Sequence, residues 1–352
     1  MSNSSLELSF LSVVTLTTFF IFLMSSKFLS NLKNEVLIDN DFIKPQAFHL
    51  SNTPRLGGLC SFLSFTIFLI FNYFLFNDFY LNYFLLGTGI FIIGFLDDLK
   101  VNFSPNKRLI MMIIWLIFCE SFFPQNLNQI DLIFLNDWLQ NEIFFGVFII
   151  LCFLFIINGS NLIDGFNGLA SIHFIIINSI LLILNLNNSH IEISMMIVSQ
   201  LIILVVFALF NFPKSKMFLG DSGAYFHGSI TALNTIVTNN LNSEISSFFF
   251  CVLLFYLFFE VFFSFFRKLL KKQSPLKPDS NHLHMLVYKF YKSKDIEFAN
   301  PLTGFSINLA YFTLIIPSFL MRHDGLFCKA WFFIIIFIYL ISYYFLKKFD
   351  KI

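Results

Sequence analysis

Long apolar runs dominate this sequence and limit what it can fold into. A helix needs about 20 mostly apolar residues to cross a bilayer, and the sequence contains eleven runs of this kind. They lie at 8–30, 55–76, 79–96, 108–123, 143–160, 167–185, 192–212, 222–238, 246–266, 302–321 and 328–346. Hydrophobic residues make up 57% of the chain and charged residues only 12%, more apolar surface than one water-soluble core can bury. The sequence therefore predicts an all-α, polytopic membrane helix bundle of about eleven transmembrane helices, with residues 1–352 forming a single integral-membrane domain.

The distribution of Lys and Arg gives this bundle an orientation. If the N-terminus lies outside, 20 of the 22 cations fall in cytoplasmic segments, and only Arg322 and Lys329 fall on the other side. Such an excess of cations is typical of cytoplasmic loops. The net charge of +1 and the few cations outside short loops argue against a nucleic-acid-binding surface. The five cysteines show no CxxC or Cys/His spacing, so neither a disulfide framework nor a zinc site is indicated.

Five polar motifs interrupt the apolar pattern, and all five lie at predicted cytoplasmic ends of helices. They are PRLGG at 54–58, the Asp97-Asp98 pair of GFLDDLK, NGSNLIDGFNGLA at 158–170, FNFPKSKMFLGDSGA at 210–224 and PDSNHLHM at 278–285. Ordinary loop residues would be divided between the two faces of the membrane. We therefore expect these motifs to form catalytic loops on the cytoplasmic face.

Each motif also has a purely structural interpretation. Asp164 is compatible with a turn between glycines, and Asp221 with Ser222 is compatible with a helix cap; for both, structure and function stay open. Two adjacent carboxylates at a helix C-terminus oppose the helix dipole and repel each other unless they share a cation, which favours a functional role for Asp97 and Asp98. Taken together, carboxylates, glycine turns, histidines and cations at a membrane surface are what Mg²⁺-assisted phosphoryl transfer requires.

In this order, the five motifs resemble those of one family. From about Asp41 to Met285 the chain is similar to the polyprenyl-phosphate N-acetylhexosamine-1-phosphate transferases (MraY/WecA type, glycosyltransferase family 4). The resemblance implies ten or eleven transmembrane helices, dependence on Mg²⁺, and transfer of a sugar 1-phosphate from a UDP-sugar to undecaprenyl phosphate with release of UMP. It also implies a multi-pass protein of the bacterial inner (plasma) membrane whose active site faces the cytoplasm.

The resemblance assigns metal and catalytic roles to residues of this chain. Asp221 matches the magnesium ligand. Asp97 and Asp98 match an acidic pair, in which Asp97 is the candidate base acting on the lipid phosphate. Asp164 matches an aspartate expected to position metal or nucleotide, and His282 matches a histidine expected to hold the pyrophosphate.

The resemblance also assigns substrate-binding roles. Asn161 and Asn211 match asparagines near the nucleotide, and Lys100 and Lys107 are candidate phosphate contacts. His284 matches the second histidine of the pyrophosphate loop.

The histidine loop also carries information on the donor sugar. PDSNHLHM resembles the PDxxHLHH loop of the branch that uses simple N-acetylhexosamines and starts O-antigen (lipopolysaccharide) and similar polysaccharides, although Met285 replaces the last histidine. The branch that uses UDP-N-acetylmuramoyl-pentapeptide typically shows an APxHHHxE-like loop. We therefore expect UDP-N-acetylglucosamine or a close relative as donor, with the pentapeptide nucleotide as the alternative.

Two other function classes compete with this interpretation. A transporter would usually keep its polar groups near the bilayer midplane, whereas here they lie at helix ends. An inactive membrane scaffold would not need the full set of acidic residues. Glu260, inside the ninth apolar run, is interpreted as pairing with a neighbouring helix and left out of the catalytic set. The sequence leaves open whether the chain forms a homodimer.

Overall fold

A computed structural model describes residues 3–30, 37–39, 53–101, 103–127, 130–275 and 279–349 of the chain. Some residues used in the sequence predictions lie outside these ranges. They are Asp41 at the start of the resemblance, Pro278 in the histidine loop, and Lys33, Lys44, Lys277 and Lys351 among the cytoplasmic cations.

Within the described ranges the chain forms fourteen helices and one two-residue ribbon. The helices are α1 (Asn3–Ser30), α2 (Gly57–Phe76), α3 (Leu81–Asp98), α4 (Pro105–Phe122), α5 (Ile133–Leu139), α6 (Glu142–Ile163), α7 (Leu169–Asn187), α8 (Ile191–Asn211), α9 (Gly220–Leu241), α10 (Ser247–Leu253), α11 (Phe255–Leu270), α12 (Leu283–Lys292), α13 (Ala299–Leu320) and α14 (Gly325–Phe349). Strands β1 (Ile38–Asp39) and β2 (Thr53–Pro54) pair antiparallel, with Ile38 opposite Pro54. The all-α prediction is confirmed.

The number of membrane-spanning helices differs from the prediction. Among the described residues, eight helices are long and apolar enough to cross a membrane, namely α1, α2, α3, α6, α7, α8, α13 and α14. Helices α10 and α11, bent by 75° at their junction, give a ninth if they count as one span. The chain is therefore a multi-pass membrane protein, but the predicted count of eleven is not confirmed.

The two remaining apolar runs form helices that are too polar to meet the same criterion. Helix α4 carries Lys107, Arg108 and Glu120 within its 18 residues. Helix α9 is 22 residues long and buries almost every side chain, including Ser, Thr, Asn and His residues. A helix shielded by its neighbours need not be apolar all round, so sequence hydropathy alone describes α9 poorly.

Helix α9 is the central helix of the bundle and packs against α2, α3, α6, α7 and α8. Its polar side chains are satisfied by neighbouring helices. Asn234 accepts a hydrogen bond from the Tyr83 hydroxyl at 3.0 Å and donates to Asn178 at 3.1 Å and to Gln200 at 2.9 Å. Because unsatisfied polar groups are costly inside a bilayer, these bonds favour one arrangement of the helices around α9.

Glycines of α2 and α3 set the position of the N-terminus of α9. The Gly57 and Gly58 amides donate to the carbonyls of Phe218 and Leu219 at 2.9 and 2.8 Å. A Cβ on Gly58 would fall 2.2 Å from Oγ of Ser222, so only glycine permits this approach. The PRLGG motif therefore fastens the segment that carries Asp221.

Candidate active site

Three helix ends meet at one end of the bundle and carry the predicted acidic residues. Asp97 and Asp98 end α3, Asp221 lies in the first turn of α9, and Asn161 lies in the last turn of α6. Arg108 joins them from the first turns of α4. Below, Asp97, Asp221, Arg108 and Asn161 are called the acidic cluster.

The carboxylate of Asp98 caps the N-terminus of α9. Its Oδ1 accepts a hydrogen bond from the Asp221 amide at 3.0 Å, and its Oδ2 accepts from the Ser222 amide at 3.0 Å and the Ser222 hydroxyl at 2.5 Å. Gly220 has a φ of +75°, and a Cβ there would lie 2.7 Å from Asp98 Oδ2. A carboxylate at a helix N-terminus satisfies free amides and matches the helix dipole. Asp98 thus holds Asp221 in place.

Asp97 and Asp221 converge on one guanidinium group. Nη1 of Arg108 lies 2.6 Å from Oδ2 of Asp97 and 2.7 Å from Oδ2 of Asp221. Asn161 donates from Nδ2 to the other oxygen of Asp221 at 2.9 Å. The two like charges therefore share a cation, the condition that their position in the sequence requires.

This arrangement bears on the predicted magnesium site. No cluster of three or more His, Cys, Asp or Glu side chains suited to a metal occurs among the residues that the structure describes. Mg²⁺, however, is usually held by one or two carboxylates together with substrate phosphates and water. Two carboxylates that already converge on a cation meet that requirement, so Asp97 and Asp221 fit a magnesium ion.

The structure brings a cation into the site that the sequence prediction did not assign to it. Lys107, the predicted phosphate contact, is exposed, whereas its neighbour Arg108 contacts the carboxylates. Successive residues of a helix point about 100° apart, so only one of the two can face the bundle. Lys100 follows α3 and is also exposed. The phosphate contacts of both lysines stay predictions.

Asp164 follows the last residue of α6 and lies close to the acidic cluster. Burial raises its pKa well above the ordinary value, and the negative charges of Asp221 and Asp98 raise it further, while Arg55 opposes them. Burial and the neighbouring negative charges therefore disfavour the ionised carboxylate at this position.

Asn211 connects two loops rather than facing open space. Its Oδ1 accepts from the Gly168 amide at 2.7 Å, and its Nδ2 donates to the Met217 carbonyl at 3.0 Å. The side chain is buried. The predicted contact with nucleotide is thus not evident from its position, whereas a role in joining the loops is.

The histidine loop lies beside the same end of the bundle. The ring of Phe166, in the loop that follows Asp164, packs 5.7 Å from the ring of His284. Nδ1 of His284 lies 3.1 Å from the Tyr256 hydroxyl, and burial lowers the pKa of His284 to about 3. The ring of His284 is fully buried, and its pyrophosphate contact stays a prediction. Met285 is buried in the apolar core, where a thioether packs without needing a hydrogen-bond partner.

His282 is enclosed by two carboxylates. Its Nδ1 lies 2.9 Å from Oε2 of Glu260, and its Nε2 lies 3.5 Å from Oδ1 of Asp279. Burial would raise the pKa of Asp279, but hydrogen bonds and charge from Arg267 lower it to about 2. Glu260, His282 and Tyr339, whose hydroxyl donates to Glu260 at 2.9 Å, are called the histidine cluster below.

Sequence reasoning missed Arg108 and undervalued Glu260. Glu260 does pair with a neighbouring helix through Tyr339 of α14, yet it also binds His282, one of the predicted catalytic residues. The available signal was an ionisable residue inside an apolar helix, which is usually functional. Arg108 gave a weaker signal, because it sits next to Lys107 at the start of an apolar run.

Comparison with known proteins finds a family that matches part of the chain. The family model described as "Glycosyl transferase family 4" matches residues 80–239. This stretch contains Asp97, Asp98, Asn161, Asp164 and Asp221, and it ends before the histidine loop. Over these residues the chain is similar to glycosyl transferase family 4. The resemblance stated from the five motifs is thereby confirmed.

Relatives of two kinds match the chain. A phospho-N-acetylmuramoyl-pentapeptide-transferase of Clostridium botulinum is 28% identical over 53% of this chain and 60% of its own length. An undecaprenyl-phosphate alpha-N-acetylglucosaminyl 1-phosphate transferase of Thermotoga maritima is 26% identical over 67% of this chain and 68% of its own length. A phospho-N-acetylmuramoyl-pentapeptide-transferase of Prochlorococcus marinus is 29% identical over 55% of this chain and 56% of its own length. The chain thus spans between about half and two thirds of the relatives it matches.

Proposed function

We propose that this chain transfers N-acetylhexosamine 1-phosphate from a UDP-sugar to undecaprenyl phosphate and releases UMP. In net terms, an oxygen of the lipid phosphate forms a bond to the phosphorus that carries the sugar, and the bond from that phosphorus to UMP breaks. Residues 1–352 act as one transferase domain. The observation that carries the proposal is the convergence of Asp97 and Asp221 on a single cation at a helix N-terminus.

The acidic cluster suits this reaction chemically. Asp97 takes the remaining proton of the lipid phosphate, which is already largely ionised at neutral pH. Asp221 and Asp97 hold Mg²⁺, which when bound neutralises charge on the phosphate oxygens. Asn161 and Arg108 keep the Asp221 carboxylate oriented through their hydrogen bonds.

Other residues act around this centre. Asp98 is a positioning residue, because both of its oxygens bind the start of α9. Asp164 positions the nucleotide beside Asp221, and the exposed Lys100 attracts the phosphates of the incoming donor. His282 meets the pyrophosphate through the ring edge that faces Asp279.

We place the acidic cluster on the cytoplasmic side of the bacterial inner membrane. The support is the cation distribution, which in the arrangement predicted from sequence puts 20 of 22 cations on one side. At that surface, a water-soluble nucleotide sugar and a lipid phosphate held in the bilayer can reach the same carboxylates.

Two donors are candidates. The histidine loop favours a simple UDP-N-acetylhexosamine, which would start a lipid-linked surface polysaccharide such as O-antigen, and the relative from Thermotoga maritima carries a name of that kind. The relatives from Clostridium botulinum and Prochlorococcus marinus carry the name of the pentapeptide branch, which makes UDP-N-acetylmuramoyl-pentapeptide the second candidate. We favour the N-acetylhexosamine because the loop lies beside the proposed pyrophosphate position.

A donor panel tests the proposal. Purified protein is incubated with undecaprenyl phosphate, Mg²⁺ and one nucleotide at a time: UDP-N-acetylglucosamine, UDP-N-acetylgalactosamine or UDP-N-acetylmuramoyl-pentapeptide. We expect the fastest UMP release, with a matching lipid-linked product, from an N-acetylhexosamine. Faster release from the pentapeptide nucleotide would refute the donor assignment, and no release from any donor would refute the transferase assignment.

A further inference from the structure

Glu260 is a fully buried carboxylate in a helix that reaches into the membrane-spanning part of the bundle. An isolated charge there is costly. Three donors satisfy it: the His282 ring at 2.9 Å, the Leu283 amide at 3.1 Å and the Tyr339 hydroxyl at 2.9 Å. Two of these donors, the His282 ring and the Leu283 amide, belong to the histidine loop. The Glu260 carboxylate therefore holds that loop in place as well as joining α11 to α14.

The contact with Glu260 fixes which nitrogen of His282 carries a proton. A carboxylate can only accept hydrogen bonds, so Nδ1 of His282 must be the donor to Oε2 of Glu260. The ring is thereby held in one orientation, with Nε2 on the opposite edge. Among the described residues, the approach of Nε2 is the longer one of 3.5 Å to Oδ1 of Asp279. A phosphate oxygen, like that carboxylate, can only accept, so Nε2 binds a ligand oxygen as an N–H donor and the ring then carries a proton on both nitrogens.

The backbone around His282 is fixed from the same helix. Arg267, seven residues after Glu260 on α11, binds Asp279 with both terminal nitrogens, at 2.6 and 3.2 Å. Asp279 precedes His282 by three residues, and the Leu283 amide that binds Glu260 follows it by one. Two side chains of α11 therefore bind the histidine loop, one before His282 in the sequence and one after it.

We propose that Glu260 is a positioning residue that orients His282, so that Nε2 faces the pyrophosphate of the donor; this inference rests on the function proposed above. Glu260 itself does not touch substrate. Its effect on turnover passes through the His282 ring. The Tyr339 hydroxyl binds the other carboxylate oxygen, Oε1, whereas His282 binds Oε2.

Steady-state kinetics of matched variants separate positioning from packing. Partners that orient a functional histidine typically contribute about 10–100-fold to activity, so we expect Glu260→Gln to lower kcat by that factor and to change KM by less than about threefold. Glu260→Asp should restore part of the loss. Tyr344→Phe, at an exposed position of the same helix α14, is the matched control and should leave kcat unchanged. Unchanged kcat in Glu260→Gln would refute the proposal.

A double-variant cycle tests whether the effect passes through His282. In a His282→Gln background, Glu260→Gln should lower kcat by less than about threefold more, because the group that it orients is already gone. A full additional 10–100-fold loss would overturn the proposal and leave Glu260 a packing role. Thermal unfolding in detergent checks that each variant is folded.

A spectroscopic readout is independent of turnover. In protein labelled with ¹⁵N-histidine, the wild type should show a strongly hydrogen-bonded Nδ1–H proton that is lost in both His282→Gln and Glu260→Gln and retained in Tyr344→Phe. Absence of this signal in the folded wild type would overturn the orientation. Its presence together with no UMP release from any donor would support the orientation and refute the proposed transferase function.

Discussion

The acidic cluster and the histidine cluster lie at the same end of the bundle but differ in the solvent exposure of their charged side chains. The side chains of Asp97, Asp221 and Arg108 are 27%, 23% and 20% exposed, whereas those of Glu260 and His282 are each 1% exposed. Accessible ion pairs contribute little to stability, about 0–1 kcal/mol, and exchange partners readily. Breaking a buried pair by removing one partner costs about 3–5 kcal/mol.

The difference assigns the two clusters different tasks. The open carboxylates can release Arg108 and accept another cation together with substrate phosphates. The closed carboxylate of Glu260 keeps its partners and sets the geometry of a loop. Substitutions in the acidic cluster should therefore affect turnover more than stability, and substitutions of buried groups should affect both.

The largest effect on turnover is expected for Asp221→Asn. The substitution keeps the size of the side chain and removes a charge that the proposed Mg²⁺ requires, so UMP release should fall by about 10²–10³-fold, with little change in Tm. Asp97→Asn should behave in the same way. The matched control is Asp137→Asn, an exposed carboxylate on α5, which should leave both quantities unchanged. A large drop in Tm for Asp221→Asn would contradict the distinction between the clusters.

A somewhat smaller loss of turnover is expected for Asp98→Asn, this time with a loss of stability. An amide group cannot accept all three hydrogen bonds from Asp221 and Ser222, and each donor left unsatisfied costs about 1–3 kcal/mol. Displacement of α9 by even 1 Å should lower turnover by up to about 10²-fold. Urea or thermal unfolding in detergent, alongside UMP release, checks both effects. Lost turnover at wild-type stability would indicate direct chemistry by Asp98.

Gly58→Ala should lower turnover more moderately, and it does so without changing any charged residue of the site. The added Cβ would meet Oγ of Ser222 at 2.2 Å and the Gly223 amide nitrogen at 2.3 Å. Overpacking of this kind costs about 1–3 kcal/mol, and a slight shift of α9 should lower turnover by roughly tenfold. Gly146→Ala is the control, because its Cβ would meet nothing within 4 Å. Equal behaviour of the two variants would show that PRLGG does not position Asp221.

The smallest effect is expected for Asp164→Asn, which should raise Tm. A carboxyl whose pKa is raised in the native protein binds a proton more tightly in the folded protein than in the unfolded chain. Wild-type stability should therefore rise as pH falls from neutral toward about 4, the pKa of an unfolded aspartate. The Tm advantage of the variant should be greatest at pH 8 and shrink by pH 5 in thermal unfolding scans. An advantage that grows as pH falls would reverse the sign of the assigned pKa shift.

Much of the fold could be predicted from sequence because the bilayer imposes simple rules. Apolar runs of sufficient length located the long helices, and polar motifs at their ends predicted that Asp97, Asp98, Asn161 and Asp221 would meet. Hydropathy described helices α4 and α9 less well. Their polar residues are accommodated by neighbouring helices, as Asn234 of α9 is, and hydropathy does not report neighbours.

The details of the candidate site were less predictable because they depend on side-chain direction. Lys107 and Arg108 are equivalent as charges, but only Arg108 faces the carboxylates. His282 and His284 look alike in sequence, yet one binds Glu260 and the other binds Tyr256. Tertiary packing decides both distinctions, and no spacing rule encodes them.

Binding of Mn²⁺ in place of Mg²⁺, followed by electron paramagnetic resonance, tests most directly whether Asp97 and Asp221 form the cation site of the proposed transferase. Titrations in detergent with UDP-N-acetylglucosamine present would compare the wild type with Asp221→Asn and with Asp137→Asn. We predict that the wild type and Asp137→Asn bind Mn²⁺ alike and that Asp221→Asn binds it at least about tenfold more weakly. Equal Mn²⁺ binding by all three proteins would contradict the assignment of the acidic cluster as the metal site.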